Sequence, residues 1–131
     1  PYIAPVLSPD IFDEAFRPLA TYLDSLNALE NLSVSAVYPG HGLAFTDLRE
    51  RLTDIREHHS GRKKAVLEHV NKQPKATCEI SREMVSPNLA DFDKFLALNE
   101  MIAYLKELTA EGAIKEDTVN DVLVYVRPSG Y

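Results

Sequence analysis

The chain has a single cysteine, Cys78, so no internal disulfide framework can form and no zinc site can be built from thiolates alone. It also lacks long apolar runs: none approaches the roughly 20 residues that cross a bilayer. No basic-then-apolar leader opens the chain, so no secretory signal is visible. Together these absences fit a reducing, cytoplasmic setting and no membrane partner. Positive charge is scarce at first: residues 1–60 hold four basic groups against nine acidic ones, within a net charge of −6. That sign argues against a dedicated nucleic-acid binder. Repeats and low-complexity stretches are missing too. What remains is 131 residues, 45% hydrophobic and 26% charged, enough for one ordinary domain or two small ones. The chain opens at Pro1 rather than at a methionine, as expected if a leader was removed or if this is the tail of a longer polypeptide, the favoured reading.

The apolar spacing predicts a first helix from a Ser8 cap to about Leu29, with a kink or break near Arg17 because Pro18 interrupts it. The β-branched run at 32–38 reads as a buried strand. Thr46 or Asp47 caps a second helix carrying Leu48, Leu52, Ile55, Val66 and Val70. Gly61 lies inside it, where glycine costs about 1 kcal/mol against alanine, so a bend or a domain joint is expected there. After a polar loop at 71–77 come a short helix over about 78–85 and a longer one over about 91–110. The longer helix is closed by the capping glycine Gly112. Ala113-Ile114 and Val122 to Val126 read as two short strands. Helix, short helix, longer helix and hairpin is the order of a winged helix-turn-helix.

Between the predicted strand and the second helix stands Pro39-Gly40-His41-Gly42. Proline fixes its own φ and glycine admits φ > 0, so the chain must turn sharply here. The turn displays one imidazole at the carboxyl end of a strand, where open sheets usually place their chemistry.

With its preceding strand and its following helix containing Ile55, His58-His59 and Arg62, this motif resembles the end of the metallo-β-lactamase-fold hydrolases. Residues from about 62 onward resemble the small winged-helix domain that one branch of that superfamily carries at its carboxyl end. Asn99-Glu100, Leu105 to Leu108 and Glu111-Gly112 fit that domain's main helix. The resemblance implies an α+β, mostly helical fold. Residues 1–60 would be the terminal helix, strand and helix of an αββα hydrolase domain. Residues 61–131 would be a winged helix of three helices and a small hairpin. It implies that His41 is a ligand of one of two metal ions, zinc or else iron or manganese, that generate a hydroxide in the parent protein. The substrate would be a thioester, another ester or lactone, or a phosphodiester. The family's His-x-His-x-Asp-His motif is absent, and none of His41, His58, His59 and His69 has its spacing. The resemblance thus implies a piece of a hydrolase, inactive and metal-free by itself, whose partner is an upstream hydrolase domain. With that sheet missing, segment 32–38 is expected to be mispaired, disordered or paired with a second copy of the chain.

The competing reading is a non-enzymatic winged-helix module that binds protein or RNA. Its candidate contact is the basic cluster Arg62, Lys63, Lys64, Lys72 and Lys75, facing RNA or an acidic carrier. DNA fits poorly, because the 91–110 helix carries Asp91, Asp93, Glu100 and Glu107 against only Lys94 and Lys106. His58 and His59 point about 100° apart on a helix, so they cannot share a metal face, and one should pack inward. Phe92, Phe95 and Tyr104 have core-like spacing. Cys78 reads as a small, semi-buried hydrophobe.

Overall fold

In the computed structural model, residues 7–10, 12–70 and 73–128 are described. Of the kink or break expected near Arg17, the break is what forms: the first helix, α1 (Pro18–Asn27), starts at Pro18. Proline is suited to the first helical position, where its fixed φ helps and its missing N–H is not needed. The helix expected from Ser8 is therefore not formed. Residues 8–17 turn instead, with Asp10 Oδ1 accepting from Phe12 N (2.8 Å) and Asp13 Oδ1 from Ala15 N (3.0 Å). Short acidic side chains that bond nearby backbone in this way compete with helix. Ile11, counted in the expected stripe, and the Pro1 to Val6 stretch lie outside the described residues.

The expected buried strand at 32–38 is a second correction. Leu32 (52%), Val34 (40%) and Tyr38 (84%) are exposed. The pairing is a single antiparallel bridge, with Val37 N to Phe45 O at 2.7 Å and Phe45 N to Val37 O at 3.1 Å. A β-branched run becomes a strand only against neighbouring strands, and none lies beside it among the described residues. The partner is thus the chain's own Phe45.

Helix α2 (Leu48–His69) is capped by Asp47, whose side chain accepts from Glu50 N at 2.8 Å. It runs unbroken through Gly61, so the expected bend is absent: the burial of Leu52, His59 and Val66 on both sides outweighs the cost of one interior glycine. β1 (Lys75–Ala76) occupies part of the expected polar loop and leads into α3 (Thr77–Met84), where Glu79 Oε2 reaches back to Ala76 N at 2.7 Å. Helix α4 (Asp91–Ala110) has the expected bounds. Gly112 closes it at φ +73°, with Gly112 N bonded to Thr109 O (3.0 Å) and Ala113 N to Leu108 O (2.9 Å). That is a Schellman closure, which requires a left-handed residue after the helix.

The hairpin differs from expectation in its first arm. The strand is β2 (Lys115–Val119), not Ala113-Ile114; Ile114 is a core residue, 1% exposed. β2 meets β3 (Val122–Val126) through Asn120 (φ 51°) and Asp121 (φ 62°). Two consecutive left-handed residues make the tight turn whose twist suits a two-residue hairpin. The sheet is antiparallel in the order β1-β3-β2, with Lys75 opposite Tyr125 and Asp117 opposite Val124. One core joins Leu7 and Leu19 to Val66, Val70, Ile80, Tyr104, Leu105, Leu108, Ile114 and Tyr125. No helix among the described residues is long and apolar enough to cross a membrane.

Candidate functional site

The bridge between Val37 and Phe45 pinches off a loop that holds Pro39, Gly40, His41 and Gly42. Gly42 takes φ +92°, a backbone region that side chains disfavour, and open space surrounds both loop glycines. His41 is exposed, flanked by Tyr38 and by Leu43 (91% exposed). The loop therefore presents an accessible imidazole. A catalytic zinc site takes about three protein ligands. Among the described residues no group of three or more His, Cys, Asp and Glu is placed to hold a metal. His41 alone does not fit a complete metal centre.

The other histidines are occupied elsewhere. His69 Nδ1 bonds Ala65 O at 2.8 Å within α2. His58 and His59 have nearly perpendicular rings 5.3 Å apart, and His59 is the inward one, 2% exposed. Its Nδ1 lies 2.8 Å from Tyr104 Oη, and the Tyr104 hydroxyl donates to Glu100 Oε1 at 3.1 Å. Glu100 in turn faces Arg62 at 3.7 Å. Burial, then the neighbouring His58, holds the His59 ring below the ordinary histidine pKa. Burial, then Glu100, pushes the Tyr104 hydroxyl up. The Glu100–Tyr104 spacing of four was legible as one helix face. The link from His59 to Tyr104, across 45 residues, had no local signal.

The basic cluster is largely turned onto carboxylates. Arg62 pairs with Glu100, Lys63 with Glu111, and Lys75 with both oxygens of Glu83 at 2.9 and 2.8 Å. Lys64 is exposed, and Lys72 lies outside the described residues. Cys78 is exposed rather than semi-buried. It lines a groove of about 430 Å³ between α3 and α4 together with Arg82, Val85, Pro87, Lys94 and Leu98. Phe92 (69%) and Phe95 (56%) are also exposed, against the expected core packing, whereas Tyr104 is fully buried. The buried positions of α4 begin at Asn99, and its opening residues Asp91 to Phe95 are all exposed.

Comparison with protein-family profiles finds no match. Among curated proteins the chain is 25% identical over 103 residues to the β-lactamase-like protein 2 homolog of Caenorhabditis elegans, covering 76% of this chain. It is 27% identical over 111 residues to the probable metallo-hydrolase YqjP of Bacillus subtilis, covering 84%. The chain spans about a third of the length of these relatives, 34% in each case. Among solved structures, a β-lactamase domain protein from Burkholderia ambifaria matches 92% of this chain and 37% of its own, at 29% identity and a TM-score of 0.82. A metallo-β-lactamase family protein from Thermus thermophilus matches 86% of this chain and 34% of its own, at 29% identity and a TM-score of 0.70. Metallo-β-lactamase-fold homologues thus cover most of the chain, and they support its reading as a segment of a hydrolase of that superfamily.

Proposed function

We propose that this chain is the carboxyl-terminal segment of a metal-dependent hydrolase of the metallo-β-lactamase superfamily, and that His41 is one of the metal ligands of the longer protein. The observation that carries the reading is the Pro39-Gly40-His41-Gly42 loop. It is exposed, pinched by the Val37–Phe45 bridge, and set within a chain whose homologues include a probable metallo-hydrolase. The remaining ligands, and the metal itself (zinc, iron or manganese), belong to the longer protein. Its substrate would be a thioester, another ester or lactone, or a phosphodiester. Leu32, Val34, Tyr38 and Leu43 are exposed apolar side chains that the upstream hydrolase domain would cover. Residues 61–131 form a winged helix in this reading. The order helix, β1, α3, α4, hairpin, and the sheet order β1-β3-β2, support it.

The test is His41→Ala in the longer protein, read by metal analysis and by hydrolysis of a thioester and a phosphodiester probe. The variant is expected to lose bound metal and at least a hundredfold in hydrolysis, on the scale of losing an essential group. Its unfolding midpoint without metal should stay unchanged, because His41 is exposed. Metal-free wild-type protein, or full metal content and hydrolysis in the variant, would refute it. The exposed Phe92 and Phe95 favour one second reading, an interaction module that binds a protein partner. It predicts that Phe92→Ser abolishes binding without touching hydrolysis.

A further inference from the structure

The His59 ring is enclosed by three helices. Tyr22 of α1 meets it edge-on with ring centres 5.5 Å apart, Tyr104 of α4 lies at 6.1 Å, and its own neighbour His58 on α2 stands at 5.3 Å. Hydrogen counting assigns the protonation of this cluster. Tyr104 has one hydroxyl hydrogen; given to the Glu100 carboxylate, which can only accept, it leaves the Tyr104 oxygen to accept from His59, and this is the assignment adopted for the cluster. The neutral ring therefore carries its hydrogen on Nδ1, and Nε2 is bare. The result is a directional chain from His59 N–H to Tyr104 O–H to the Glu100 carboxylate, with Arg62 beside both the carboxylate and the Tyr104 hydroxyl.

Among the described residues, the ionisable groups facing the ring are His58 and Arg62 from α2, Glu100 and Tyr104 from α4, and Tyr22 from α1. Glu100 is the one anion among them, and it is already engaged by Tyr104 and Arg62. A second proton on His59 would place a buried cation beside Arg62 and His58, which a closed site disfavours.

We propose that His59, Tyr104, Glu100 and Arg62 form a pH-gated latch between α2 and α4, shut while His59 carries one proton on Nδ1 and released when the ring takes up a second. The direction follows from linkage. The closed state binds the second proton less readily than the open state. Above the ordinary histidine value of about 6.5 the ring is neutral in both states and the latch is at full strength. Below it the open state gains protons first, so opening grows by up to tenfold per pH unit until the closed state also titrates.

Amide hydrogen exchange along α4 from Asn99 to Leu108, corrected for the intrinsic pH dependence of exchange, tests this directly. The wild-type opening constant should rise toward tenfold per unit as pH falls below about 6.5. His59→Gln, which retains a donor for Tyr104 but cannot titrate, should show a flat profile, and His58→Gln should keep the rise. An unchanged acid-dependent rise in His59→Gln overturns the proposal. Should that variant fail to fold, ring-nitrogen NMR of the wild-type histidines decides instead. An Nδ1–H tautomer for His59 that titrates below the ordinary value supports the latch. An Nε2–H tautomer, or titration at or above the ordinary value, refutes it.

Discussion

The ion pair between Arg17 and Glu107 has two unequal halves, and that inequality can be measured. Arg17 sits just before α1 and sends its guanidinium to the middle of the last stretch of α4. Nε lies 3.1 Å from Glu107 Oε2, and Nη2 bonds Oε1. This is the bidentate fork geometry that makes arginine–carboxylate pairs strong. Lys106 adds bonds to the carbonyls of Glu14 (2.8 Å) and Phe16 (3.3 Å), so two neighbouring residues of α4 hold the approach to α1. The Arg17 side chain is 43% exposed and that of Glu107 only 12%. Water screens the pair from the arginine side, which keeps its worth nearer to the surface range than to the buried one. Removing Glu107 leaves a guanidinium that turns into solvent, at a cost of about 1 kcal/mol. Removing Arg17 strands a largely buried carboxylate, at about 2–3 kcal/mol. Arg17 makes no side-chain cap on α1, so its replacement tests the pair and not the cap. Urea unfolding followed by far-UV circular dichroism of Arg17→Ala, Glu107→Gln and the double variant gives all three values. The double variant should be more stable than Arg17→Ala alone. Equal losses for the two single variants, or a larger loss for Glu107→Gln, would refute the argument from unequal exposure.

Two glycines should respond with opposite signs. Both Gly61 and Gly112 have room for a methyl group, so the backbone alone decides. Gly61→Ala in the middle of α2 should stabilise by about 1 kcal/mol. Gly112→Ala at φ +73° should destabilise by about 1 kcal/mol; denaturant midpoints that move the same way would contradict this. On α4's neighbours, Ile80→Ala should cost about 2–5 kcal/mol because Ile80 is fully buried. Phe92→Ser should stay within about 0.5 kcal/mol in thermal unfolding, since its ring is already in water.

The helices legible in the sequence were those whose ends carry local chemistry. Asp47 caps α2 and Gly112 closes α4, and both boundaries follow from a side chain or a φ value that the residue type dictates. The misplaced elements were those decided by competition or by distant partners. Residues 8–17 have helical apolar spacing, yet Asp10 and Asp13 hold the backbone in turns and Pro18 is better used as a first residue than as an interior one. Lys115 to Val119 is polar over most of its length, so little in its own composition marks it as a strand; β3 alongside it makes it one. The signal that would have found it is Asn120-Asp121, two residues that tolerate the left-handed region. Phe92 and Phe95 share a helical stripe with core residues, and periodicity alone does not reveal that the stripe outruns its cover. At the site, His41 was visible through its glycines. The His59 cluster, built across three helices, was not.

The uninterrupted run of α2 has a mechanical consequence. Twenty-two residues of helix make a rod about 33 Å long. One end begins at Leu48, shortly after the loop that holds His41, and the other ends just before β1. With no hinge along it, a tilt of about 5° imposed at the sheet end would sweep the loop end by about 3 Å, given that length. A tilt that starts in the last half of the chain is therefore largest at the Leu48 end of the helix, next to the loop that holds His41.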